Sequence, residues 1–494
     1  MRKLVLMALS LAVVSSGIAK EVNEESVENY MRSSLYTIIL NSEKQNNYFE
    51  EETKKGENAN EFMSLAKDLA NTDAKKAAND TTTGSIFSLP AKIFASIPIP
   101  NQFNEHNLGT RVIDFDILSA NLTENDKEAA AKDGFQGKKK SKFNVGNIAK
   151  STAGISTEGS EINASFDEVA PAVMHRYFKD NNVAELVVAR WYDYAPDASD
   201  HWGLGTVMDR GTYNFSDVDL QNAANDPAVR TKIDQTAFDM IGNTFIMVTN
   251  LRFRSYQAIV AESQGAVTAI GGSKLGGLAS LAGAAASAAA GDGYTVQAVS
   301  SLYHLVWNED INQRFAVDIV EKNATLEDLI EAGFCKLEYL GTEKSSSNIR
   351  QSLFSEKPIS DLVQRATARA IDEAIIKLQN NHEQFRTALP IIGGDGNGTI
   401  YARIGTKEGL NEKDEYEILE KQEDSKGHTF YKSVGTVKPI KGKIWNNAFG
   451  ASEELAENPK ATDADREAVN RGYSEFKGKK GDFKGYYLRL KKKK

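Results

Sequence analysis

In Trp191–Trp202 (WYDYAPDASDHW), carboxylates and a histidine alternate with aromatic rings. Asp193, Asp197, Asp200 and His201 could bind a hard cation. Two of the carboxylates could instead act as acid and base on a glycosidic bond. Trp191, Tyr194 and Trp202 could stack on a sugar ring. The candidate ligand-binding set is therefore Asp193, Tyr194, Asp197, Asp200, His201 and Trp202. The simpler reading is a polar loop whose aromatics cap the core. It is preferred here, because pocket chemistry needs groups that converge in space.

Other chemistries have less support. The histidines at 106, 175, 201, 304, 382 and 428 are scattered, and none forms H-E-x-x-H or another metal spacing. There is no G-x-S-x-G elbow and no G-x-x-x-x-G-K-[ST] phosphate loop. In Gly271–Gly277 (GGSKLGG) the lysine is not followed by Ser or Thr. Asp395–Gly398 resembles half a calcium loop without the downstream glutamate. Cys335 is the only cysteine, so neither an internal disulfide nor a thiolate zinc site can form, and the thiol is expected to pack in the core. No catalytic residue, metal or cofactor is expected.

The candidate loop needs a scaffold. Glu185–Tyr192 (ELVVARWY) and Asn243–Arg252 (NTFIMVTNLR) are short, β-branched, aromatic runs, which predicts two strands buried on both faces. The loop would then lie beyond the carboxyl end of the first, where ligands sit in open α/β sheets. Around these strands the spacing predicts a helix over Glu24–Leu40 and a strand over Arg111–Leu118. Asn125–Phe143 is expected as a surface excursion, Ser151–Ser165 as a loop and Phe166–Asp180 as a helix. Further on come a strand over Tyr294–Trp307, helix over Ile311–Glu331, a strand over Phe334–Gly341 and a long helix from Pro358. Gly265–Gly293 is rich in Ala and Gly. Its uncharged part, Leu275–Ala290, is too short and weakly apolar to span a bilayer, so an insertion is expected and membrane association is disfavoured.

Arg2 and Lys3 precede the apolar run Leu4–Val14 and a small-residue exit at Ser15–Ala19, which predicts a signal peptide cleaved after Ala19 and an exported protein, periplasmic or associated with the outer membrane. The net charge is −9. Without Arg2 and Lys3, 57 basic residues face 68 acidic ones, leaving −11. Such a chain has no general footprint for nucleic acid.

Past Gly393–Gly398 (GGDGNG), taken as the domain boundary, the apolar period changes from helical to alternating. Ile400, Ala402 and Ile404 share one face. Short strands follow at Tyr416–Ile418, Phe430–Val434 and Val437–Ile440, with Tyr486–Leu490 closing, which argues a small β-barrel. The expected division is a signal peptide at 1–19, an α/β core at 20–392 carrying the 265–293 insertion, and the barrel at 398–494. Lys477–Lys494 is basic and could dock on acidic polymer or lipid headgroups, but it is expected to be a last strand with a solvated tail.

Ile404, Gly409-Leu410, Lys413–Ile418 (KDEYEI) and Gly435-Thr436-Val437 resemble the SH3-like barrel at the end of flagellar assembly protein T and of several envelope proteins. Lys413 stands where that pattern often has Gly. The segments IPIPNQFNEHNL, IGNTFIMVTN and ATARAIDEAIIKLQ make the whole chain similar to an uncharacterised family of exported proteins of anaerobic Gram-negative bacteria. Arg210-Gly211-Thr212-Tyr213 and Gly242–Ile246 resemble the core of the curli-secretion lipoproteins, although this chain lacks their lipid-bearing cysteine. Together these readings imply an α+β protein, with a mixed sheet covered by helices and then an SH3-like barrel. The expected role is non-enzymatic binding or assembly in the cell envelope, with an envelope protein or a glycan as partner. The alternative is a glycan hydrolase using the carboxylates of the 193–201 loop.

Overall fold

The computed structural model describes residues 33–42, 94, 103–104, 111–136, 157–207, 240–255, 293–350, 359–423 and 429–492. The expected signal peptide, the 265–293 insertion and the Arg210–Tyr213 turn lie outside these residues.

The chain is α+β. Its first part contains β1 (Ser33–Asn41), β2 (Phe103–Asn104), β3 (Arg111–Asp114), α1 (Phe115–Ala120), α2 (Glu124–Lys132), α3 (Thr157–Asp180) and α4 (Val183–Trp191). Then come β4 (Thr244–Ser255), β5 (Gly293–Val306), α5 (Glu309–Phe315) running into a π-turn at Ala316–Val320, α6 (Leu326–Ala332), β6 (Lys336–Arg350) and α7 (Ile359–Asn381). The sheet order is β2-β1-β4-β5-β6, and β3 also pairs with β1. β1 runs parallel to β2, β3 and β4, while β4, β5 and β6 are antiparallel, so the sheet is mixed.

Both faces of this sheet are covered. On one, Tyr36, Ile38, Ile246, Val248 and Tyr303 pack with the helical residues Met174, Phe178, Val188 and Trp191. On the other, Leu35, Ile39, Phe245, Met247 and Leu302 pack with Val363, Ala366, Ala370, Ala374 and Leu378 of α7. The small residues of α7 let its backbone approach the sheet closely.

Two expectations are exchanged. Glu185–Tyr192, read as a central strand, lies mostly in α4. Val183, Ala184, Val187, Val188 and Trp191 are buried with helical spacing, and the helix begins after Asn182, whose φ of 48° breaks the chain from α3. Asn tolerates this left-handed geometry better than most residues. Conversely, Ser33–Asn41, read as the end of a helix, is strand β1. Because both of its faces are buried, its apolar residues form a continuous run in which helical spacing appears by coincidence. The other central strand is borne out as β4, and Tyr294–Trp307 as β5.

Smaller corrections follow from capping. The strand expected over Arg111–Leu118 stops at Asp114, whose carboxylate accepts from Ile117 N at 3.1 Å and opens α1. The expected excursion at Asn125–Phe143 contains most of α2, which Thr123 and Asp126 start with a reciprocal capping box. The expected loop at Ser151–Ser165 is helical from Thr157, so α3 is longer than Phe166–Asp180.

The second part is a closed antiparallel barrel of order β10-β11-β8-β7-β12-β9. Its strands are β7 (Ala388–Gly394), β8 (Thr399–Ala402), β9 (Glu415–Glu423), β10 (Thr429–Pro439), β11 (Ser474–Gly478) and β12 (Tyr487–Lys492), with α8 (Ala451–Glu457) and α9 (Asp463–Asn470) between β10 and β11. Leu389, Ile400, Ile418, Val437, Phe476 and Leu488 fill it. Gly393–Gly398, expected to separate the parts, instead belongs to the barrel. Gly393 and Gly394 end β7, and Asp395 closes the turn to β8 by accepting from Asn397 N and Thr399 N, both at 2.8 Å. β7 pairs with β8 and β12, so the barrel begins at Ala388.

α7 joins the two parts. The stripe Arg365, Arg369, Asp372, Ile376 lies opposite the one that meets the sheet and faces the barrel. Arg365 and Arg369 pair with Glu454 of α8 at 3.2 and 2.9 Å, and Arg369 also donates to Phe449 O at 3.0 Å. Ile376 sits so close to Gly409 that a Cβ there would lie 2.7 Å from it.

Candidate functional site

The loop after α4 is held by its own polar groups. Asp193, with φ of 46°, accepts from Thr206 N at 2.7 Å and from the Thr206 hydroxyl. Gly205 leaves room for this carboxylate, since a Cβ there would stand 2.8 Å from Asp193 Oδ2. Gly203 N donates to Tyr192 O at 2.7 Å and Ala195 N to His201 O at 2.9 Å, so the loop folds back on its own start.

The aromatics turn inward. Trp202 is buried, packs edge-on against Phe315 at 5.2 Å and donates from Nε1 to Ala324 O at 2.6 Å. Tyr194 packs on Trp202 at 4.6 Å, and its hydroxyl accepts from Leu326 N at 3.1 Å. Asn323 accepts from His201 N and donates to Ser199 O, both at 2.8 Å. Trp191 is buried beneath, its indole donating to Thr244 Oγ1 at 3.1 Å.

Of the six expected residues, Tyr194, His201 and Trp202 therefore come together as a clasp on the 315–326 segment. Asp193 braces the loop from within. Asp197 and Asp200 are exposed. Among the described residues, no three of His, Cys, Asp and Glu are grouped to hold a metal. His175 bonds Asp133 at 2.8 Å, and His304 bridges Glu338 at 2.8 Å and Gly242 O at 2.7 Å, so both tie elements of the core. Cys335 is buried, and burial, with Glu185 nearby, pushes its thiol up, away from a reactive thiolate.

A different constellation stands on the outer wall of the barrel. Val437, Phe476, Ile400 and Ala402 point inward, so the alternate residues Lys438, Lys477 and Tyr401 point outward. In the β10–β11 ladder Lys438 lies directly opposite Lys477, and in the β11–β8 ladder Lys477 lies opposite Thr399. The stem of Lys479 lies against the side of Gly435 that also meets the core residue Ile418, so it covers the barrel's interior side rather than this wall. Neither Lys438 nor Lys477 forms an ion pair among the described residues; Lys477 makes long contacts to Asn397 O at 3.5 Å and Thr399 Oγ1 at 3.4 Å and lies within electrostatic reach of Asp395.

One row further, Glu475 lies opposite Tyr401 and is neutralised by Arg471 at 2.7 Å. Tyr401 and Tyr473 pack with ring centroids 5.2 Å apart. The wall thus carries two opposed lysines beside an aromatic pair. The sequence marks the basic stretch from Lys477 but not its pairing, because Lys438 and Lys477 are far apart in the chain and only the register of β10 with β11 brings them together. The alternation around Val437 and Phe476 was the available signal.

Among the described residues, no helix is long and apolar enough to cross a membrane. Comparison with protein-family models finds no match, and comparison with curated proteins finds none either.

Proposed function

We propose that this chain is an exported, non-catalytic binding protein of the cell envelope, and that its barrel takes an anionic polysaccharide on the wall formed by Lys438, Lys477, Tyr401 and Tyr473. The observation that carries this reading is the direct opposition of Lys438 and Lys477. Like charges facing each other across a ladder are unfavourable, with Cβ atoms about 4.5–5.5 Å apart. A ligand anion between them turns that repulsion into attraction.

The aromatic pair favours a sugar, because flat rings accept the C–H-rich faces of pyranoses while lysines act as point charges for carboxylates. Nucleic acid fits less well. Its affinity rests on neutralising many phosphates, whereas this wall offers two lysines on a chain of net charge −9. The signal-peptide pattern and the likeness to envelope barrels support placement outside the cytoplasm. The hydrolase alternative loses ground because Asp193 is spent on Thr206 and the aromatics of that loop are turned into the core.

Titration calorimetry of the full chain with polygalacturonate, and with neutral dextran as control, tests the proposal. Polygalacturonate is expected to bind, more weakly as salt rises, and dextran is not. Lys438→Glu with Lys477→Glu should lower affinity at least tenfold. No binding of polygalacturonate, or equal binding by the double variant, would overturn the site. New reducing ends in the mixture would overturn the non-catalytic part.

A further inference from the structure

The turn between β7 and β8 holds the chain's one Asn-Gly pair, Asn397-Gly398. Asn397 is exposed, and its side-chain amide makes no hydrogen bond among the described residues. Asp395 accepts from the nitrogens on either side, Asn397 N and Thr399 N, both at 2.8 Å. The nitrogen between them, Gly398 N, meets no acceptor among the described residues. Gly398 itself is buried, and its carbonyl accepts from Gly478 N at 2.9 Å. A backbone N–H without a partner at a buried residue is uncommon. This one stands next to a free side-chain amide, and no Cβ at residue 398 shields it.

These two groups can react with each other. Gly398 N attacks Cγ of Asn397 and closes a five-membered succinimide. The bond from Cγ to the side-chain nitrogen breaks, and ammonia leaves with the proton of Gly398 N. Water then opens the ring on one of two sides. Breaking the new bond to Cγ gives aspartate; breaking the bond to the main-chain carbonyl carbon gives isoaspartate. Water is the only co-reactant, and nothing is oxidised or reduced.

We propose that Asn397 is a self-modifying site, converting with time to aspartate and isoaspartate, and that the product weakens the lysine wall of the barrel. Lys477 Nζ lies 3.5 Å from the Asn397 carbonyl oxygen. In isoaspartate that same carbonyl becomes the free carboxylate, so the negative charge forms where the lysine already points. In aspartate it forms on the side chain of the same residue. Either way Lys477 gains an ion-pair partner beside the wall and is less available to a ligand anion. Isoaspartate also adds one carbon to the main chain of the turn, so Asp395 can no longer hold Asn397 N and Thr399 N in the present geometry. The effect on binding rests on the polysaccharide reading above, whereas the conversion does not.

Mass spectrometry of peptides from the full chain, aged at pH 8 and 37 °C, reads the conversion directly. The peptide carrying Asn397 should gain about one dalton and yield fragments diagnostic of isoaspartate. Two exposed asparagines serve as controls within the chain: Asn411, followed by the bulkier Glu412, and Asn458, followed by Pro459, whose nitrogen has no proton to lose. Both should keep their mass over the same time. Ageing at pH 6 should slow the gain, because the attacking nitrogen must give up its proton. Asn397→Gln, which would need a six-membered ring, should hold its mass. An unchanged Asn397 peptide, or conversion of Asn411 at the same rate, would overturn the site. Calorimetry with polygalacturonate then compares fresh and aged chains. Aged wild type should bind several-fold more weakly than fresh, and aged Asn397→Gln should bind as fresh protein does. Equal binding by fresh and aged wild type would overturn the effect on the wall. No binding by the fresh chain would remove that effect together with the polysaccharide site, while the mass gain decides the conversion by itself.

Discussion

β1 and β4 are buried on both faces, whereas β11 buries Ser474 and Phe476 and leaves Glu475 half-exposed and Lys477 exposed. The mixed sheet therefore depends on distant cover. Its two cores are completed by α3 and α4 on one side and α7 on the other. The barrel encloses its own core between its six strands, the last of which returns to pair with the first, and α7 lies against one side. The difference explains where each part can afford polar chemistry. In the sheet part, the polar groups of the 193–206 loop are consumed in holding elements together. In the barrel, the outward residues are free to carry charge, and Lys438 and Lys477 do so without an ion-pair partner among the described residues.

The largest expected effect breaks the barrel. A fragment beginning at Asn397 lacks β7, and with it Leu389 and Ile391 and the pairing to β8 and β12. It should show collapsed amide dispersion in a proton spectrum. A fragment beginning at Arg386 restores β7 and should give the dispersion of a folded barrel. If both fragments fold, the barrel does not need the strand that closes it.

Next in size is the clasp of the sheet part. Trp202→Ala removes a buried indole and its bond to Ala324 O, and should cost about 3–5 kcal/mol in urea unfolding. A change below about 1 kcal/mol would mean that the loop is not structural and would reopen the ligand reading of its aromatics.

A smaller effect comes from charge. Lys179 and then His175, by hydrogen bonds, hold the carboxyl of Asp133 down to about 2. The folded value lies below the unfolded one, so this stability is present above about pH 4 and is lost as pH falls through about 2. The group is substantially exposed to solvent, which limits the contribution to roughly 1 kcal/mol or less. Asp133→Asn should lower stability by that amount at pH 7, and the gap to wild type should close as pH approaches 2. The smallest effect is expected for Asp197→Asn with Asp200→Asn, within about 0.5 kcal/mol in the same assay because both side chains are exposed. A larger loss would show that they hold something.

Much of the barrel was legible in the sequence, since a strand buried on one side writes its period into alternate residues, as Ile400 and Ala402 do. β4, β5 and α7 were legible for related reasons of length and composition. β1 and α4 were not. Both are short and apolar nearly throughout, and periodicity cannot tell a strand covered twice from a helix buried in a core. The start of the barrel was misplaced because glycines that normally break structure sit inside its first hairpin.

The candidate residues divide in the same way. The sequence by itself determined which groups exist near Trp202 and that a basic end follows Phe476. It could not determine their use. Whether Asp193 meets a ligand or Thr206 depends on a left-handed turn, and whether Lys438 meets Lys477 depends on ladder register. Whether the Asn397 carbonyl meets Lys477 depends on the pairing of β8 with β11. Each of these is a contact between residues distant along the chain, and tertiary packing alone decides such contacts.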